Sequence, residues 1–218
     1  MPLHLNKPAL RVLAIAESFQ RPSAPSAGLS YINPSSTDPW SLTYSWSTLA
    51  GVVMRADRRV DGLAYARAIV GGDDATEAVL KLYHRLGRKD INALILGGAV
   101  ISWFNIIDLE RLFSEVARPL ICLTYEESEG LEKYLREYFP ESKEKIDSYR
   151  SLGKREKISL KTGYELFVRV QGTTVEEARI LLNKFTLDGR VPEPVRLARM
   201  AARAARKVEE GLASGSEV

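Results

Sequence analysis

The strongest constraint on the fold is an alternation. From residue 91 the chain reads INALILGG, NIIDLERLFSEVA, RPLICLTY and SEGLEKYLREYF: apolar runs of strand length separated by amphipathic stretches of helix length. Strands that are apolar at nearly every position are buried on both faces and need helices above and below them. This stretch therefore predicts parallel strands joined by crossover helices. Upstream, LRVLAIA (Leu10–Ala16) reads as a buried first strand, and the segment Ser41–Val70 as two strands with a tight turn at Ala56–Arg58. Between them, from Ser18 to Pro39, prolines, serines and a glycine predict a long loop.

A hairpin laid antiparallel on strand one, followed by alternating helices and parallel strands, is the arrangement of an α/β ribonuclease H-like fold built on a mixed sheet. A doubly wound nucleotide-binding sheet would leave the early hairpin unexplained, and the chain has neither G-x-G-x-x-G nor a Walker sequence. The first helix should open at GGDDATEAV, with Asp74 as N-cap and Glu77 three residues on. PESKEKIDSYRSLGKREK predicts a short helix and a loop, and YELFVRVQG a last strand at the sheet edge. TVEEARILLNKF opens on a capping box of Thr174 and Glu177, and VPEPVRLARMAARAARKVEEG is a helix with prolines at its start. The expected organisation is an arm over 1–9, a ribonuclease H-like core over 10–172, a basic helical extension over 173–210 and a disordered tail over 211–218.

The longest apolar run, Ala93–Phe104, is too short to span a bilayer, and the N-terminal stretch lacks the apolar core of a secretory signal. A cytoplasmic protein without a membrane partner is expected. The single cysteine, Cys122, excludes an internal disulfide and a Cys-cluster zinc site, and within PLICLTY it reads as inert packing.

The net charge of +3 is small but unevenly spread. Residues 179–207 hold eight Lys or Arg against two acids. Arg196, Arg199, Arg203, Arg206 and Lys207 fall within about a third of the helical circumference at ~100° per residue, a basic stripe that Arg190 precedes. Leu197, Met200, Ala201, Ala204 and Val208 would supply the packing face. Such a stripe suits a phosphate backbone, DNA or RNA alike; a solvated face or a protein partner are the alternatives.

Three segments, VVMRADRRVDGLAYARAIVGGDDATEAV, ILGGAVISWFNIIDLERLFSEVARPLICL and FVRVQGTTVEEARILLNKFTLDGRVPEPVRLARMAA, together resemble the archaeal endonuclease V-like proteins called endonuclease dU. The resemblance implies a ribonuclease H-like fold and kinship with metal-dependent endonucleases that act on deaminated bases, hence a role in DNA repair. It also implies an acidic pair after the first strand, matched here by Ala16 and Glu17, and acids in GGDDAT, retained as Asp73 and Asp74. Where such nucleases place another carboxylate, at the end of the fourth strand, this chain has Gly97 and Gly98, and Trp103 stands before Phe104 and Asn105 where the family usually has glycine.

Two-metal phosphodiester hydrolysis needs carboxylates converging on Mg2+ or Mn2+. The candidates are Glu17, Asp73 and Asp74 for catalysis, with Glu17 and Asp73 as metal ligands. Trp103, Phe104, Asn105 and Asp108 are candidates for a base pocket, since base-modifying enzymes stack flipped bases on aromatic faces. Structural readings stand beside these: capping for Asp74, Asn105 and Asp108, core packing for Trp103 and Phe104, and an exposed loop acid for Glu17. Either the chain is a divergent nuclease using these acids, or it is a nuclease-derived module that binds nucleic acid or a protein without cutting.

Overall fold

The structure, a computed structural model, describes residues 3, 5–7, 9–20 and 45–214. The loop expected over Ser18–Pro39 therefore lies, from residue 21, outside the described residues, as do residues 1, 2, 4 and 8 of the N-terminal arm. Seven strands form one sheet: β1 (Arg11–Ser18), β2 (Trp46–Arg55), β3 (Val60–Ile69), β4 (Ala93–Leu96), β7 (Leu120–Thr124), β8 (Glu156–Ser159) and β9 (Glu165–Gln171), in the order β3-β2-β1-β4-β7-β9-β8. β1 pairs parallel with β4, and β4 with β7, while β2 and β3 add antiparallel on the other side of β1. This is the mixed ribonuclease H-like sheet that the sequence alternation predicts.

The all-apolar strands are buried twice over because alternate residues serve different layers. Leu13, Ile15, Leu94 and Leu96 face α1 (Ala75–Leu86) and α2 (Leu109–Val116), whereas Val12, Ala14, Ala93 and Ile95 face α5 (Val175–Phe185) and the start of α6 (Glu193–Ser214). α5 opens on the expected capping box of Thr174 and Glu177. No helix among the described residues is long and apolar enough to cross a membrane.

Four expectations need correction. YELFVRVQG is not an edge strand: β9 runs antiparallel between β7 and β8, and the edge belongs to β8, in a stretch read as a loop. Only Ile158 of β8 is buried, so its apolar signal is a single residue among charges. The helix expected from Asn105 begins only at Leu109; Asn105–Ile106 is instead β6, one arm of a miniature hairpin with β5 (Val100–Ile101). α6 runs through Ser214, beyond the expected end of order. It packs through Val195, Ala198 and Ala202, which are fully buried, while Met200 is 60% exposed and Val208 46%. Small side chains let the helix lie close on β1 and β2, and Ala198 touches down on Ala16 and Val52.

Candidate functional site

Ligands of open α/β sheets gather at the carboxyl ends of the parallel strands. Here those ends are Ala16–Ser18 on β1, Gly97 after β4 and Tyr125 after β7. Gly97 donates its amide to Ile15 O at 2.9 Å, and a Cβ built on it would lie 3.5 Å from the Ala16 Cβ. Two of the positions where the resemblance calls for acids therefore abut, and both are without charge: Ala16 is buried beneath α6.

Strand alternation turns Glu17 away from Ala16, toward the layer occupied by Ile15. Burial pushes the Glu17 carboxyl above the usual glutamate range; its own backbone amide, the Arg199 guanidinium and the Ser102 amide oppose this only in part. Arg199 reaches this region from α6 and lies 4.7 Å over the Tyr125 ring, and Arg206 donates from Nε to Ser18 Oγ at 2.9 Å.

The other acids sit at the N-terminal end of α1. Asp74 occupies the N-cap position, yet its side chain makes no cap hydrogen bond. Its carboxylate accepts from the Ile69 amide at 3.0 Å and from Asn105 Nδ2 at 2.7 Å. The cap comes from across the layer: Asn105 Oδ1 accepts from the Ala75 amide at 2.9 Å, while its Nδ2 also donates to Ile69 O at 3.0 Å. Sequence spacing suggested that Asn105 caps α2; in the structure Asp108 does so, accepting from the Arg111 amide at 2.9 Å.

Asp73 is 81% exposed and meets a residue that sequence reasoning missed. Lys145 of α4 (Lys143–Ser151) is 3% exposed at its side chain, and its Nζ lies 2.5 Å from Asp73 Oδ1. The same ammonium donates to Gly72 O at 2.8 Å and Phe104 O at 3.2 Å, and sits 4.9 Å over the Phe139 ring. In a stretch as charged as KEK, nothing distinguishes the one lysine that turns inward.

Trp103 and Phe104 ride on an unusual turn. Ser102, Trp103 and Phe104 have φ of 47°, 62° and 62°, three successive left-handed residues that are not glycine. Each carries roughly 1–2 kcal/mol of steric penalty, so the turn persists only because its surroundings fix it. Ser102 O accepts from the Gly71 amide at 2.8 Å, and Lys145 holds Phe104 O. The Trp103 and Phe104 rings pack against Tyr138 at 5.6 and 5.5 Å, and Phe104 also meets Phe139 at 5.8 Å, both on or next to α3 (Glu132–Tyr138). Both are half-buried packing residues here.

The arginine stripe is divided rather than continuous. Arg190 pairs with Glu126 at 2.7 Å, Arg196 with Asp188 at 2.8 Å and Arg206 with Glu210 at 2.5 Å, while Arg199 turns to Tyr125. Arg203 and Lys207 are exposed and carry no ion pair among the described residues. Cys122 is buried, which pushes its thiol up to about 12 and makes it packing.

The donor set does not fit a two-metal centre. Asp73 already faces an ammonium, Asp74 is taken up by two donors, and Glu17, whose carboxyl burial pushes above the usual range, lies on the opposite strand face from Ala16. Among the described residues, no three His, Cys, Asp or Glu side chains are grouped to hold a metal.

The model of the family described as endonuclease dU matches residues 8–206. The chain belongs to the endonuclease dU family. It is 32% identical over 196 residues to a UPF0215 protein of Pyrobaculum aerophilum, covering 89% of this chain and 94% of that protein. A protein of unknown function from Archaeoglobus fulgidus superposes with a TM-score of 0.69 at 21% identity, over 90% of this chain and 98% of its own. Endonuclease V from Ciona intestinalis, solved with a 24mer DNA containing an inosine followed by a ribo-adenosine, superposes with a TM-score of 0.55 at 13% identity, over 91% of this chain and 86% of its own. The fold is thus the ribonuclease H-like one of endonuclease V.

Proposed function

We propose that this endonuclease dU family member binds nucleic acid and does not cut it by the two-metal route. Kinship with endonucleases supports nucleic acid as the partner, and so does the inosine-containing DNA bound to endonuclease V. The observation that carries the loss of cleavage is the pair Ala16 and Gly97, whose Cβ positions lie 3.5 Å apart at the ends of adjacent parallel strands. Carboxylates there would converge on one cation; a methyl group and a hydrogen cannot coordinate Mg2+ or Mn2+, which take hard oxygen ligands. The remaining acids do not substitute for them, because Asp73 is paired with Lys145 and Glu17 points into the other layer. Arg203 and Lys207, exposed and without an ion pair among the described residues, are the charges of α6 that would meet a phosphate backbone.

The test is a binding and cleavage assay on labelled single- and double-stranded DNA and RNA carrying inosine or uracil, with Mg2+ or Mn2+, for the wild type and Asp73→Ala. Binding by both proteins, with no metal-dependent product from either, is the expected result. Metal-dependent cutting that disappears in Asp73→Ala would overturn the reading and return Asp73 to an active centre.

A further inference from the structure

Two arginines outside the helical extension line a cleft that neither the acids nor α6 explains. Arg169 lies on β9 and Arg155 immediately precedes β8; with Gly97, Gly98, Tyr125 and Tyr149 they border a cavity of about 280 Å³ at the carboxyl ends of β4 and β7. A second cavity of about 520 Å³ continues from it and shares Arg155, Arg169, Ser128 and Tyr149.

Neither guanidinium has an acid partner among the described residues. Arg169 donates from Nε to Gly153 O at 3.0 Å and Arg155 to Ser128 O, both neutral carbonyls. Arg155 also lies over the Phe167 ring at 5.7 Å. Glu126, which borders the smaller cavity, is held by Arg190 at 2.7 Å, and Glu132 of the larger one by Arg150 at 2.8 Å; Glu127 and Glu129 are exposed on the rim. Burial pushes the Arg169 guanidinium below the usual arginine range, and repulsion from Arg155 adds to this against the Tyr149 hydroxyl. Half-buried like charges that share a wall without a counter-ion raise the free energy of the empty state. A phosphate removes that penalty, because a guanidinium presents a planar fork of donors matched to its oxygens.

We propose that the Arg155–Arg169 cleft binds a phosphate group, either of a nucleic-acid strand or of a free nucleotide. Gly97 and Gly98 leave the facing wall as bare backbone, which gives the sugar and base of such a ligand room to lie along it. The inference rests on the nucleic-acid reading only for the source of the phosphate.

The experiment uses isothermal titration of the full chain with adenosine 5′-monophosphate, adenosine and inorganic phosphate, and fluorescence anisotropy with a labelled oligonucleotide in competition with the monophosphate. Wild type is compared with Arg169→Gln and Arg155→Gln. The monophosphate should bind and adenosine should not, with affinity falling at least tenfold in each variant. Phosphate should also raise the melting temperature of the wild type alone. Equal binding of monophosphate by all three folded proteins, or no preference over adenosine, would overturn the site. If Arg169→Gln fails to fold, Arg155→Gln carries the test, since Arg155 precedes β8 and lies outside the strands of the sheet. Monophosphate binding without oligonucleotide binding would keep the site and sink the nucleic-acid reading. Oligonucleotide binding that monophosphate cannot displace and that Arg169→Gln leaves intact would do the reverse.

Discussion

The N-terminal end of α1 and the Arg155–Arg169 cleft both concentrate charge, and they treat it in opposite ways. Around α1 the buried side chains of Asn105 and Lys145 are closed on their neighbours: Asn105 joins Ala75, Ile69 and Asp74, and Lys145 joins Gly72, Phe104 and Asp73. In the cleft, among the described residues, two guanidiniums have carbonyls, a ring face and the Tyr149 hydroxyl but no carboxylate partner. The first region resolves its charges internally and so acts as structure. The second leaves them facing a cavity, which is how a binding surface is built. Sequence position would have suggested the reverse, since GGDDAT is the acidic motif and Arg169 lies in a plain strand.

The contrast breaks first at Asn105. Asn105→Ala removes the cap of α1 and leaves the Ala75 amide, Ile69 O and the Asp74 carboxylate without their partner in a buried site. Unsatisfied buried groups cost about 1–3 kcal/mol each, and relaxation shares the loss, so a destabilisation of about 3 kcal/mol is expected. Urea denaturation followed by circular dichroism measures it. A loss below about 1 kcal/mol, the scale of one ordinary hydrogen bond, would mean that the network is not the closed unit described.

The legibility of the two regions follows from how far apart their parts lie in the chain. The hairpin, the parallel strands and the capping box at Thr174 were readable because each is local, written in residues two to four apart. Asn105 was visible as a polar residue beside a helix, but its bonds run to Ile69, Asp74 and Ala75, about thirty positions away, so spacing assigned it to the wrong helix. Lys145 and Asp73 are 72 residues apart and meet only when α4 docks. Arg169 carried no signal at all: alternation in ELFVRVQ marks it as the polar face of a strand, and only the neighbours brought by β7 and β8 turn that face into a cleft wall. The same reasoning explains β8, whose lone buried Ile158 could not outweigh its charges.

Ser102→Gly sharpens the comparison from the other side, because it should stabilise. Ser102 is 1% exposed with φ of 47°, and its hydroxyl finds no hydrogen-bond partner among the described residues. Glycine relieves the left-handed strain of about 1–2 kcal/mol and removes a buried hydroxyl, against an entropic loss of roughly 0.5–1 kcal/mol. A net gain of about 1 kcal/mol is expected by the same denaturation. A loss would show that the Ser102 side chain does more than fill the turn.

The smallest effect should come from Glu17, which lies between the network and α6 and belongs fully to neither. Its folded carboxyl titrates above the ordinary value of 4.5 because burial outweighs its own amide, Arg199 and the Ser102 amide. The folded state therefore holds this proton at pH values where the unfolded chain has released it. Stability is unaffected by Glu17 below about pH 4.5 and falls as pH rises from there through the higher folded value. Glu17→Gln removes that ionisation, so its melting temperature should exceed that of the wild type at pH 7, with the difference shrinking to nothing in acid. Partial solvent access keeps the gain below that of Ser102→Gly. A variant less stable than wild type at pH 7 would mean that Arg199 and the backbone amides outweigh burial, and that Glu17 is held as a carboxylate. Glu17 would then join the α1 network as a satisfied charge, and the division between resolved and unresolved charge would lie at the arginine cleft alone.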